Sequence, residues 1–294
     1  VHKYLGNKRA IAVFTLPALI LFTVVVFYPI VQVFYRSFFD WDGLGQATFV
    51  GFGNYEKMFF KDRVFRTALF NGFIFALMLV CIQIPLGTLL AFSLTDLAMR
   101  GKRFLRISYF VPMVLSVTVV CQLWLSIYNA EYGLLNKLFE ALGIPYRQDW
   151  LTNPKTAIYA VAFVNAWHYM GYHFALVLAA VKSVPEQFFE AAKIDGAGRW
   201  RTHFRITVPL LAETYKFCLV LAITGGLNAF AQMFIMTGGG PGTATYTLTY
   251  LMYRSAFRLN EFGYGCAAAA LLVLECLIVT ILINRFVARE RIVY

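Results

Sequence analysis

Residues 190 to 211 read EAAKIDGAGRWRTHFRITVPLL, a charged, glycine-broken segment set between two strongly apolar runs. The chain around it has 294 residues, 60% of them hydrophobic, 17% aromatic and only 14% charged, with a mean hydropathy of +0.65. That balance lies outside the range of soluble domains. Crossing a bilayer as a helix takes about 20 mostly apolar residues, because backbone groups left unpaired in lipid are too costly. Six runs qualify, at residues 10–34, 68–94, 107–127, 156–181, 210–236 and 262–286. They predict an all-α membrane protein with six transmembrane helices in a single domain, residues 1–294. The first run is too long for a signal-peptide core and has no small-residue cleavage site after it, so it is expected to persist as a helix.

Basic residues concentrate on the cytoplasmic side of a membrane. With the N-terminus inside, the inside segments hold Lys3, Lys8, Arg9, Arg100, Lys102, Arg103, Arg106, Lys182, Lys193, Arg199, Arg201, Arg205, Lys216, Arg285, Arg289 and Arg291, which is 16 of the 26 Lys and Arg. Both termini and a patterned loop at about 182–209 are then cytoplasmic. The net charge of +11 sits along that rim, where anionic membrane lipid attracts it, and no soluble basic domain exists to bind nucleic acid. The five cysteines, Cys81, Cys121, Cys218, Cys266 and Cys276, fall in or beside apolar runs without paired spacing, as buried small hydrophobes do. No metal site is expected. The glycine cluster Gly238 to Gly242 lacks the lysine of a P-loop, so the chain itself holds no ATP. No hydrolase or metalloprotease motif occurs. Transport or scaffolding remains.

Within the loop, Ser183 and Glu186 have capping-box spacing and Pro185 stands in a first turn, which predicts a helix over 186–195 ended by a left-handed Gly196. A second amphipathic piece, 199–206, leads to Pro209. Phe188, Ala191, Ala192 and Asp195 share one helix face, with Phe189 beside them. Exposed phenylalanines next to small alanines suit a knob for a partner's groove. They equally suit an interfacial helix lying on lipid headgroups. Pattern alone leaves both readings open.

The order Glu190, Ala191, Ala192, then Gly196, Ile206, Val208 and Pro209 resembles the signature loop of the permeases of binding-protein-dependent ABC importers, departing only in Val208, where that family usually has Leu. The likeness extends through LPALILF (16–22), YPIVQVFYRSF (28–38), FVGFGNY (49–55), YGLLN (132–136), VPEQFFEAAKIDGAGRW (184–200) and TGGGPGTAT (237–245). These resemble sugar-importer permeases of the maltose and glycerol-3-phosphate type in their six-helix form. The resemblance implies the type I ABC importer permease fold, with a cytoplasmic coupling helix between helices 4 and 5. It implies that this helix docks in a cleft of a dimeric cytoplasmic ATPase, with Phe188, Phe189, Glu190, Ala191, Ala192, Asp195 and Gly196 as the coupling residues and Glu190 meeting a basic group. ATP and magnesium would be held by that ATPase and not by this chain. It also implies a second, homologous permease subunit, a solute-binding protein on the outer side, and residence in a bacterial cell membrane.

Polar residues inside lipid-spanning helices are expensive and so mark a pathway, although some only bond neighbouring helices. In the fourth run Asn165, His168, Tyr169 and Tyr172 follow i, i+3, i+4, i+7; in the fifth Thr224, Asn228 and Gln232 follow i, i+4, i+8. Counted from the outer ends, Asn165 and Asn228 stand nearly level. Amides and hydroxyls backed by rings suit a sugar, whose hydroxyls take hydrogen bonds and whose C–H faces take flat apolar surface. The resemblance places Asn165 and Tyr172 at sugar-contacting positions, whereas Asn228 and Gln232 rest on the stripe itself. His168, His173 and Trp167 read as packing residues. A phosphate-bearing cargo such as glycerol-3-phosphate would call for basic groups in the pathway, and none stands mid-span. Glu275 is the one acid inside a run, structural or pore-lining, and gives a proton-driven secondary transporter only thin support. The chain is thus expected to be a non-enzymatic permease subunit that passes a sugar or oligosaccharide inward.

Overall fold

The computed structural model describes residues 8–95 and 101–286. The helices are α1 (Ile11–Arg36), α2 (Arg63–Leu94), α3 (Lys102–Val114), α4 (Val117–Ile127), α5 (Leu134–Ala141), α6 (Ala157–Ser183), α7 (Glu186–Ile194), α8 (Ala212–Leu227), α9 (Ala231–Met236), α10 (Leu248–Arg258) and α11 (Phe262–Phe286), joined by loops and short helical turns. A hairpin of β1 (Phe39–Asp40) and β2 (Thr48–Phe49) pairs antiparallel, Phe39 opposite Phe49. Both termini, expected in the cytoplasm, lie outside the described residues.

All six predicted runs are helical, but they are not six equal spans. Among the described residues four stretches are long and apolar enough to cross a membrane: α1, α2, Ala212–Met236 and α11. The third run is broken, with α3 and α4 meeting at 102°. Pro112 lacks the N–H that a continuous helix would use, Leu115 turns extended, and Ser116 starts α4 by accepting the Val119 N–H at 3.3 Å. The fourth run, α6, is 27 residues long yet too polar to qualify. It does not need to be apolar all round, because Asn165, His168 and His173 are buried against protein.

The described residues form two units, residues 8–62 with Met252–Leu271, and a larger one built on Arg63–Leu251. The first is knit by polar pairs. Lys57 bridges to Glu261 at 3.1 Å and lies over the Tyr264 ring, whose hydroxyl donates to Asp62. In the second, α6 packs on α2 and α3, and α8 packs on α2. The α2–α6 crossing is close enough that a Cβ on Gly87 would lie 2.8 Å from the backbone nitrogen of Phe174, so only glycine fits there. Phe92, Phe174, Val177, Val181 and Cys218 make one buried cluster where α2, α6 and α8 meet the 182–209 loop. Four of the five cysteines are buried or partly so; Cys81 departs from expectation in being exposed on α2, where a small apolar side chain faces lipid at no cost.

Candidate functional site

A cavity of about 550 Å³ opens within the larger unit. Five of the seven stripe residues line it: Asn165, Tyr169 and Tyr172 from α6, with Asn228 and Gln232. The two stripes meet across one space, as their level depths predict. The fifth run, however, is not a continuous helix. It stops at Leu227 and restarts at Ala231, so the i, i+4, i+8 spacing does not describe one face. The interruption itself, Asn228 to Phe230, lines the cavity. Irregular backbone at membrane depth is tolerated only where protein or a cavity satisfies it. Here the Thr249 hydroxyl donates to the Ala229 carbonyl at 2.7 Å, and Thr247 adds a longer bond at 3.4 Å. The Asn228 amide donates back to the Thr224 carbonyl at 2.8 Å. Thr247 and Thr249 of TATYTLT (243–249) are thus the brace for the break, a role their spacing did not announce.

Two stripe members fall elsewhere. The Thr224 hydroxyl donates to the Val220 carbonyl at 2.6 Å, the usual retreat of threonine inside a helix, and does not reach the cavity. His168 is 1% exposed and its Nε2–H donates to the Leu115 carbonyl at 3.1 Å. That carbonyl is orphaned by the α3–α4 break. Leaving it unpaired would cost about 1–3 kcal/mol, so His168 holds the break shut. Its ring also stacks on Tyr169, 4.2 Å between centroids, and so orients a cavity-lining phenol. His173, read as packing, stands in the cavity wall.

Gln83 was overlooked. Buried on α2 and in the cavity wall, its amide lies 3.5 Å from both oxygens of Asn165, long contacts that orient more than they bind. The available signal was the one glutamine of the 68–94 run, which also holds Asn71, Thr88 and Ser93. Among the described residues no Lys, Arg, Asp or Glu lines the cavity. Glu275 is not among its residues; both carboxylate oxygens are buried without a hydrogen-bond partner among the described residues.

The second element of the site is α7. Its C-terminus is as predicted: Gly196 has φ +68°, its N–H donates to the Lys193 carbonyl at 3.1 Å, and the Ala197 N–H reaches the Ala192 carbonyl at 2.9 Å. This pair of bonds is a Schellman motif. The N-terminus differs. Ser183 ends α6 with its hydroxyl on the Ala180 carbonyl, and Pro185, not a serine, occupies the cap position of α7, so no capping box forms. The exposed face also differs. Phe188 and Phe189 are half-buried against the cluster around Phe92, and Ala192 is 3% exposed. The phenylalanines therefore anchor the helix instead of forming its knob. Presented outward are Glu190, Ala191, Asp195 and Ile194, the last 86% exposed.

The glycine loop is held firmly. Asn71 donates to the carbonyls of Ala244 and Tyr246 at 2.9 and 3.0 Å, and the Thr237 and Thr245 hydroxyls pair at 2.7 Å.

Long apolar helices, a largely apolar cavity studded with amides and phenols and framed by an interrupted helix, and a surface helix offered on a loop define the membrane subunit of a transport system. The chain belongs to the family of binding-protein-dependent transport system inner membrane components, whose profile matches residues 83–292. It is 36% identical to the probable ABC transporter permease protein YurN of Bacillus subtilis over 95% of this chain and 96% of that one. It is 34% identical to the diacetylchitobiose uptake system permease protein NgcF of Streptomyces coelicolor, over 91% and 80% of the two chains, and 34% identical to the multiple sugar-binding transport system permease protein MsmF of Streptococcus mutans, over 92% of each. The fold is that of a solved bacterial ABC transporter involved in the import of the acidic polysaccharide alginate, with TM-score 0.83 at 21% identity over the whole of both chains.

Proposed function

We propose that this chain is the permease subunit of an ATP-driven importer that passes a neutral sugar or short oligosaccharide from an external solute-binding protein into the cytoplasm. The observation that carries the reading is connectivity. The loop bearing α7 is the direct link between α6 and α8, the helix that runs into the break at Asn228, so displacing α7 displaces both walls of the cavity. A cavity of about 550 Å³ that sets amides, phenols and His173 in a largely apolar wall, with no Lys, Arg, Asp or Glu among the described residues lining it, suits neutral polyhydroxyl cargo, and the sugar-transport relatives support the same class. It disfavours a phosphate-bearing cargo such as glycerol-3-phosphate. The alginate importer that shares this fold carries an acidic polysaccharide.

In this account the 182–209 loop and both termini are cytoplasmic, the protein sits in a bacterial cell membrane, and a second homologous permease completes the pathway. A dimeric ATPase, holding ATP and magnesium, receives Ile194 and Glu190 of α7, and its closure rocks the two permeases between inward- and outward-facing states. The pinned glycine loop, with its rigid Gly238–Gly242 turn, is the surface offered to the solute-binding protein.

Substituting Ile194 tests the docking face. Because Ile194 is 86% exposed, Ile194→Asp is expected to leave the fold unperturbed. It is expected to reduce the ATPase co-purifying with the complex by about tenfold, the effect of losing about 1.4 kcal/mol of buried apolar contact. Full recovery of the ATPase with Ile194→Asp would count against this face.

A further inference from the structure

The segment after α7 is fastened to the end of α2 by two side chains that the coupling residues do not include, Arg199 and His203. The Arg199 guanidinium donates to the carbonyls of Phe92 and, at 3.1 Å, Ser93. Both lie in the last turn of α2, where the negative end of the helix dipole favours a cation; the Phe92 carbonyl also accepts the Thr95 N–H at 3.3 Å and the Thr95 hydroxyl at 2.7 Å. The His203 ring lies flat on the fully buried Phe92 ring, centroids 4.3 Å apart and planes 7° from parallel. Its Nε2 meets the Thr95 hydroxyl at 3.4 Å and its Nδ1 the Thr207 hydroxyl at 3.3 Å. Burial, and Arg199 nearby, hold the His203 imidazole below its ordinary pKa, so it stays neutral and does not repel the guanidinium. The loop therefore grips α2 as well as being continuous with α6 and α8. Seven residues above Phe92, α2 contains Pro85, which cannot donate to the Cys81 carbonyl and leaves the helix free to bend there. Gln83 and Leu79, just beyond it, line the cavity.

We propose that Arg199 is a positioning residue that makes the 182–209 loop and the end of α2 move as one body, with Pro85 as the bend through which that movement reaches Gln83 in the cavity wall. The proposal rests on the importer reading above. It adds a third wall helix to the two that the loop connects covalently, with a noncovalent joint that can be cut by itself.

The test uses the whole complex, this chain with its partner permease and ATPase, in proteoliposomes with the solute-binding protein and sugar present. Arg199→Ala is expected to leave ATPase co-purification and basal ATP hydrolysis unchanged. Sugar moved per ATP should fall about tenfold, as expected for losing two charge-assisted hydrogen bonds. Arg199→Lys, which keeps the charge but reaches one carbonyl, should recover part of the ratio. An unchanged ratio in Arg199→Ala overturns the proposal, as does loss of the ATPase from the complex, which would make Arg199 a docking residue. If Arg199→Ala does not accumulate in the membrane, Arg199→Lys decides: an intermediate ratio supports the joint and a wild-type ratio overturns it. Failure of the unsubstituted complex to couple transport to ATP would instead remove the importer reading, and this inference with it.

Discussion

Gly196→Pro is expected to reduce transport to background while the protein still inserts in the membrane. Gly196 stands at φ +68°, where proline, locked near −65°, cannot go. The substitution also deletes the N–H that donates to the Lys193 carbonyl at 3.1 Å. Without that cap the last turn of α7 unwinds, and Ile194 and Glu190, which it carries, lose their placement. Gly196→Ala separates conformation from space. Nothing lies within 4 Å of a Cβ added there, so alanine costs only the left-handed backbone, about 1–2 kcal/mol, and should retain measurable transport. Both are read by sugar uptake alongside ATPase co-purification. Wild-type uptake in Gly196→Pro would mean that α7 is not a coupling element.

The second large effect is expected at the cavity. Combining Asn165→Ala with Tyr172→Ala removes an amide and a phenol from one wall. At about 1 kcal/mol for each hydrogen bond lost, the sugar concentration giving half-maximal stimulation of ATP hydrolysis should rise about 30-fold. Assembly with the ATPase should not change, because neither residue lies near the α7 face. Thr224→Val is the matched control. Its hydroxyl is spent on the Val220 carbonyl, so the value should stay at wild type. A shift from Thr224→Val as large as that of the double variant would mean that helix packing, not sugar contact, is being measured.

The difference between Thr224 and Asn228 illustrates how far the sequence could be read. Run lengths, the loop, its terminating Gly196 and the meeting of Asn165 with Asn228 were all legible, because hydropathy, glycine conformation and depth counted along a helix are local properties. What escaped depends on chain discontinuity. A helical period assumes an unbroken helix, and Ala212–Met236 is interrupted at the residues that matter; the bracing threonines lie about 20 residues further on. The α3–α4 bend hides in the same way, since the carbonyl it exposes at Leu115 is met by His168 more than 50 residues away. Periodicity groups Phe188 and Phe189 with Ala191 and Ala192 but does not tell which side of α7 is buried. With Phe92 and Val181 beneath them, the phenylalanines turn inward and Ile194 takes the outer position.

Transport through this chain is expected to depend on ATP hydrolysed by a partner subunit. The direct test is uptake of a neutral oligosaccharide into proteoliposomes carrying the chain with its partner permease and ATPase. Uptake is expected to require both ATP and the solute-binding protein, and to stop with vanadate. Uptake driven by an ion or proton gradient without ATP, and insensitive to vanadate, would contradict the account.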